Sequence, residues 1–427
     1  MDVTPLPHVV VVGGGFGGLW ATRALARDPV RITLVDRSNH HLFQPLLYQV
    51  ATAGLSAPDI AAPLRHILRR QRNVEVRLAG VEAVEADAGR IRLDDGGTLD
   101  YDYLVLASGA THAYFGNEQW AAHAPGLKTL DDALGIRRRV LLAFERAEAE
   151  TDPAKRAAWL DFAIIGGGPT GVELAGTLAE IARHTLRDEF RNIDPAGARV
   201  RLVEAGPRVL ASFPEDLSAR AQRQLERLGV EVVTGTPVTA IDAEGYRLGD
   251  RFMPSRTVLW AAGVAASPLA KSLDVPLDRA GRVVVEPDLG VPGQPRVFVA
   301  GDLAAIARED GRPVPGVAPA AKQMGRHVAG AIRARLRSQA APAFRYRDWG
   351  NLATIGRMAA VVHFGRLKLS GLLAWWFWLL VHILFLIGFR NRVVVMFNWT
   401  WAYWSYQRAA RIIFGDTTPG DDRDGPA

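Results

Sequence analysis

Two stretches dominate the hydrophobic pattern of this chain. Val9–Val12 is an unbroken apolar run that ends in Gly13-Gly14-Gly15-Phe16-Gly17-Gly18, after which apolar positions recur at helical spacing. Ala163-Ile164-Ile165-Gly166-Gly167-Gly168-Pro169-Thr170-Gly171 repeats the arrangement. An apolar run without alternation marks a strand buried on both faces, and the switch to helical period across glycines predicts a sharp strand-to-helix turn. A further strand pattern follows each: Arg31-Ile32-Thr33-Leu34-Val35-Asp36 after the first, Arg199-Val200-Arg201-Leu202-Val203-Glu204 after the second. Each half therefore predicts a β-α-β unit.

The rest of the pattern fills in two similar domains. Asp59–Gln71 reads as an amphipathic helix with Ile60, Leu64, Ile67 and Leu68 on one stripe. Strand patterns follow at Val74–Leu78, Gly80–Ala86 and Arg90–Leu93, with Asp94-Asp95-Gly96-Gly97 as a hairpin-type turn. Tyr103–Ala107 is another buried strand and runs into Ser108-Gly109. Thr129 caps a charged helix to Glu150, which Thr151-Asp152-Pro153 breaks. Beyond the second unit, a helix at Leu217–Leu228 and strands at Val230–Thr234 and Thr257–Ala261 are expected. The last runs into Ala262-Gly263 and so repeats the strand-to-glycine ending at Ser108-Gly109. Arg296–Ala300 ends in Gly301-Asp302, and Pro315–Leu336 gives a turn and a helix starting near Pro319. The fold class is α/β, with two Rossmann-like dinucleotide-binding domains plus a C-terminal helical membrane-attachment segment.

At 427 residues the chain has room for two to three domains, and 48% hydrophobic content with 42 glycines suits such a fold. A net charge of +6 without any nucleic-acid type Lys/Arg run favours an anionic membrane surface over nucleic acid. There are no cysteines, which excludes disulfides, thiolate metal sites, iron–sulfur clusters and thiol redox relays. No secretory pattern precedes His8, so the nucleotide-binding part is expected in the cytosol.

The glycines carry the candidate chemistry. In G-x-G-x-x-G the first glycine allows the turn, the second lets backbone approach a pyrophosphate, and the third lets helix pack on strand. Those roles fall to Gly13, Gly15 and Gly18, then to Gly166, Gly168 and Gly171. Asp36 and Glu204 end the following strands, where an acid accepts from an adenosine ribose and repels a 2′-phosphate. Two complete fingerprints imply two dinucleotides. Arg201 and Arg208 lie near Glu204 in sequence and work against a strict rejection of a 2′-phosphate.

With these motifs the chain resembles the two-dinucleotide flavoprotein disulfide-reductase superfamily. Within it, the chain is similar to the type II NADH dehydrogenases, single-subunit NADH:quinone oxidoreductases that pump no protons. The resemblance covers residues 8 to about 415. It implies FAD at Gly13, Gly15, Gly18, Asp36, Ser108, Gly109, Gly301 and Asp302, and NADH at Gly166, Gly168, Gly171, Glu204 and Gly263. Phe43-Gln44-Pro45-Leu46-Leu47-Tyr48 resembles a stretch these enzymes carry near the flavin. The implied boundaries are 1–125 and 285–345 for the FAD domain, 126–284 for the NADH domain, and 346–427 for membrane anchoring and quinone access. Partners would be a membrane quinone and the bilayer at the cytoplasmic face of an inner membrane, with a homodimer left open. Without cysteines, the disulfide-reductase and sulfide:quinone routes are closed. A soluble reductase serving a ferredoxin-type protein, or a flavin-bound redox sensor, are the alternatives.

Three residues are candidates for catalysis. Glu173 is expected on a first helical turn, where an acid also simply complements the dipole; the resemblance implies nicotinamide placement or proton delivery. The family's Ala-Gln-x-Ala-His-Gln stands here as Ala318-Pro319-Ala320-Ala321-Lys322-Gln323, so Pro319 and Lys322 replace its Gln and His. Lys322, with the amides of 320–322, is expected to stabilise negative charge on the flavin, the alternative being a surface lysine on an amphipathic helix. Gln323 is expected to hydrogen-bond flavin or quinone, or to be an ordinary surface residue. His40 and His41, merely adjacent, lack metal-ligand geometry, and no metal site is expected.

The tail decides between membrane and soluble acceptors. Gly371–Ile387 is almost wholly apolar and is followed by Trp399, Trp401, Tyr403, Trp404 and Tyr406 among Gln407, Arg408 and Arg411. Seventeen residues of helix reach about 25 Å, short of a ~30 Å hydrocarbon core. A buried core helix, a single span and a monotopic anchor all remain open, with Lys368, Arg390, Arg392, Arg408 and Arg411 expected to meet anionic lipid.

Overall fold

The computed structural model describes residues 5–387, 389–405 and 410–413. The chain divides into two compact units, one holding residues up to Leu42, Ala61–His112 and Val264–Trp349, the other Phe43–Ile60, Ala113–Gly263 and the chain from Gly350 on.

In the first unit the valine run forms the strand His8–Val12, buried along its whole length. Parallel neighbours Arg31–Asp36 and Tyr103–Leu106 flank it, and Val74–Leu78 and Gln294–Val299 extend the sheet on either side. All the parallel strands bring their C-terminal ends to one edge, where such sheets bind ligands. The helix Phe16–Ala24 leaves that edge and packs on Ala318–Leu336. A Cβ on Gly325 would lie 2.1 Å from the Gly17 carbonyl oxygen, so the two helices touch backbone to backbone.

The Asp59–Gln71 helix does not form. Its residues divide into the helix Ala57–Ile60, the strand Ala61–Pro63 and the helix Leu64–Leu68. Pro63 biases its predecessor to extended backbone. Ala61–Pro63 then pairs antiparallel with His40–Leu42, which places His41 opposite Ala62.

The second unit repeats the plan in a four-stranded parallel sheet ordered Val230–Thr234, Arg199–Glu204, Asp161–Ile165, Thr257–Trp260. Thr129 caps Leu130–Ala149 through a capping box with Asp132, while Asp152 starts a new helix, Pro153–Trp159. Arg201 is buried, and its guanidinium pairs with Asp161 and Glu231, each at 2.7 Å.

The region from Asn351 is not helical throughout. Asn351–Gly356, Ala359–Phe364 and Leu367–Ser370 form an antiparallel sheet before any tail helix begins. It lies on the helix Pro169–Glu180, and a Cβ on Gly176 would meet the Ile355 carbonyl oxygen at 1.6 Å. The apolar tail makes two helices, Leu372–Phe385 and Phe389–Ser405, separated at Leu386, whose backbone is extended. Among the described residues no helix is long and apolar enough to cross a membrane.

Candidate cofactor sites

In the first glycine loop the tight turn and the close helix packing fall at Gly13 and Gly18. Gly13 has φ +102°, and a Cβ there would lie 2.4 Å from the Ala107 carbonyl oxygen. On Gly18 a Cβ would come within 1.9 Å of the Gly13 carbonyl oxygen, so both positions are packed shut. Gly15 faces open space. Asp36 does more than end its strand: its carboxylate accepts from the Gly14 and Ser38 amides at 2.5 and 2.6 Å. Burial pushes its pKa up, and those two amides oppose the shift.

Around the loop lie the other expected FAD positions. The Ser108 hydroxyl is buried with no partner. Gly109 has φ +71° and open space beside it. Gly301 (φ +79°) and Asp302 line a cavity of about 130 Å³ together with Ala320, Ala321 and Met324. An open glycine, an orphaned hydroxyl and a cavity at the end of a parallel sheet fit an extended dinucleotide.

The second loop repeats the geometry. Gly166 has φ +114° and sits against Ala261, while a Cβ on Gly171 would lie 1.8 Å from the Gly166 carbonyl oxygen; Gly168 is open. Glu204 accepts from the Gly167 and Gly206 amides at 2.6 and 2.7 Å. Neither arginine that threatened its selectivity is free for a phosphate. Arg201 is held in its buried pairs, and Arg208 donates to the Phe213 and Ala211 carbonyls. A Cβ on Gly263 would meet the ring of Phe115 at 2.6 Å.

Of the candidate catalytic groups, Glu173 sits one turn later than expected. The helix starts at Pro169, so its first turn carries no acid and dipole complementation does not explain the residue. Burial pushes its carboxyl well up, against a hydrogen bond from the backbone of Thr354. That contact comes from the C-terminal sheet.

Lys322 is not a surface lysine. It is 9% exposed, and its ammonium lies 4.5 Å from the centroid of Trp20 and 5.1 Å from that of Phe16. Burial, with Arg326 nearby, brings its pKa down to about 8. Gln323 uses its side chain on the main chain of Arg347, donating to the carbonyl at 3.0 Å and accepting from the amide at 2.9 Å. Among the described residues no cluster could hold a metal ion.

The tail is not a core helix. Leu373, Trp376, Leu380 and Leu384 form an exposed stripe, the first 71% exposed, while Ala374, Trp378 and His382 face inward. Its second helix grips the Phe43–Ile60 segment: Trp399 donates to Gln49 at 2.7 Å, Asn391 to the Pro58 carbonyl, Asn398 to Asp59. Several basic residues expected at lipid are already engaged. Lys368 pairs with Asp216 at 2.7 Å, Arg411 with Glu189 at 2.5 Å, and Arg392 donates to the Leu386 carbonyl. Tyr406, Gln407, Arg408 and Phe414 lie outside the described residues, as do the side chains of Arg390, Tyr403 and Trp404.

Residues 7–325 match the pyridine nucleotide-disulphide oxidoreductase family, and residues 349–404 match the NDH2 C-terminal domain. The chain is 46% identical over 423 residues to the type II NADH:quinone oxidoreductase Ndh of Mycobacterium tuberculosis, covering 95% of this chain and 90% of the relative. NdhA of the same organism is 46% identical over 409 residues, covering 92% and 86%. The structure of NDH2 from Plasmodium falciparum in complex with NADH superposes with a TM-score of 0.87 at 19% identity, covering 96% of this chain and all of that one.

Proposed function

From the premise that this chain belongs to the type II NADH:quinone oxidoreductases, a branch of the pyridine nucleotide-disulphide oxidoreductase family, we propose how its residues divide the reaction. It is a membrane-associated flavoenzyme with FAD and NADH as cofactors and a quinone as acceptor. When bound, the flavin supplies the redox chemistry between NADH and quinone. The first loop, with Asp36, Ser108 and Asp302, holds FAD; the second, with Glu204, holds NADH. Supporting this are the two open glycines, Gly15 and Gly168, each beside an acid tethered to its own loop.

Lys322 contributes positive charge toward the flavin, oriented by the rings of Phe16 and Trp20. Glu173, whose carboxyl is raised by desolvation, delivers a proton to the acceptor. Gln323 acts by holding the Arg347 backbone in place. The outward stripe of Leu372–Phe385 seats the protein in one leaflet on the cytoplasmic face, and a homodimer belongs to the same reading.

The observation that carries the function is the pair of complete dinucleotide loops in a chain without a thiol. The test is to identify the flavin of the purified protein and measure NADH oxidation with a quinone, ferricyanide and a ferredoxin. Turnover with ferredoxin in preference to quinone would overturn it. Light scattering of detergent-solubilised protein reads the oligomeric state.

A further inference from the structure

The two glycine loops are copies of one another, yet they secure the same carbonyl differently. At the second loop, the Gly167 carbonyl accepts from the backbone amide of Leu210 at 2.7 Å. At the first, the Gly14 carbonyl accepts instead from a side chain, Nδ1 of His41, at 2.8 Å. A carbonyl only accepts, so Nδ1 carries the proton and Nε2 carries the lone pair. His41 is 1% exposed, and its Nε2 is buried with no partner. The ring is wedged edge-on against Phe16 at 4.9 Å and near Trp20 at 5.8 Å, the two rings that cage Lys322.

We propose that His41 is a positioning residue for the flavin nucleotide: its Nδ1–H fixes the Gly14 carbonyl and so holds the loop Gly13–Gly15 with its amides turned to the pyrophosphate. Gly14 is then gripped from both ends, its amide by Asp36 and its carbonyl by His41, while Leu64 closes the space beside its Cα. In the duplicated loop the pair is Glu204 and the Leu210 amide. The strand pairing of His40–Leu42 with Ala61–Pro63 delivers the imidazole to this place. Of the two adjacent histidines, His41 is thus a donor to the loop.

The inference rests on FAD occupying the first loop, and the experiment separates the two claims. FAD release from the holoenzyme is followed by the rise in free-flavin fluorescence after dilution, for the parent, His41→Leu, His41→Gln, His41→Asn and Asp36→Ala. Asn places an amide near the Nδ1 position, whereas Gln reaches only toward Nε2. Release at least tenfold faster in His41→Leu and His41→Gln, with His41→Asn within threefold of the parent, is the expected result. If His41→Leu does not fold, the Gln and Asn pair carries the comparison. Parent-like release from His41→Gln, or equally fast release from Gln and Asn, overturns the role. An Asp36→Ala protein that releases FAD like the parent overturns instead the assignment of FAD to this loop.

Discussion

At the scale of single residues, the proposed division of the reaction gives binding and proton or charge management to different side chains. Glu173 is half-buried, and desolvation of its carboxyl in the packed helix raises it. A raised carboxyl favours the protonated form in the folded state. Its contribution to stability is therefore full below the ordinary carboxylate range and is lost as pH rises through the raised value. Glu173→Gln should keep NADH-dependent flavin bleaching within about threefold in stopped flow, while quinone turnover falls on the order of 100-fold. Its thermal midpoint should gain on the parent as pH rises. Equal losses in both half-reactions would refute the proton role. Lys322 has the opposite sign: its pKa is brought down to about 8 from 10.5, so between those values the folded state has shed a proton the unfolded chain keeps. Stability from this group rises with pH there, while the charge proposed to face the flavin fades. Lys322→Met should lower the flavin midpoint potential by the equivalent of roughly 1–2 kcal/mol at pH 7 and remove the extra pH dependence around 8. Identical potential–pH curves for the two proteins would exclude it. At Glu204, both neighbouring arginines are occupied, so Glu204→Ala should narrow a strong NADH preference in kcat/KM rather than invert it. A parent enzyme using NADPH equally well would contradict that.

At the scale of elements, close backbone contacts do the positioning. The helices Phe16–Ala24 and Ala318–Leu336 meet at Gly17 and Gly325, which brings Lys322 over the rings carried by the first helix. Gly325→Val has no room in that contact and should cost about 3 kcal/mol or more, read by urea unfolding, with faster loss of FAD. A variant with unchanged midpoint and flavin content would show that the helices can part freely. The elements also show what was legible beforehand. Both glycine loops, the acids after them and the Ala318 helix start follow from local pattern, because valine runs and glycine spacing are local properties. The imidazole on Gly14 and the Thr354 backbone at Glu173 are long-range pairings with no local signature. The C-terminal sheet did leave a signal, in the turns Gly356-Arg357-Met358 and Gly365-Arg366 between short apolar runs. Pro63 likewise marked the break in the expected amphipathic helix.

At the scale of the whole molecule, the question is what the tail does for attachment and for the rest of its unit. A basic chain invites an electrostatic answer, but Lys368, Arg392 and Arg411 are held by Asp216, the Leu386 carbonyl and Glu189. The apolar stripe has no such internal partner: Leu373, Trp376, Leu380 and Leu384 lie at helical spacing, all more than half exposed. Burying one large apolar side chain in a leaflet is worth about 1.5–3 kcal/mol, against about 1 kcal/mol for a surface cation that salt screens. About 1 M NaCl, where the Debye length is about 3 Å, should therefore leave most of the protein on anionic vesicles. Replacing Leu373, Trp376 and Leu380 together by Ser should release it at low salt, with FAD content and ferricyanide turnover unchanged, since none of the three faces inward. Deleting the chain from Gly371 is a harsher test, because it also strips Trp399, Asn391 and Asn398 from Gln49, Pro58 and Asp59. That protein should still bind NADH through its second loop but melt several degrees lower, its Phe43–Ile60 segment uncovered. Salt alone stripping the parent from vesicles, or the triple variant remaining bound, would return the attachment to the cations.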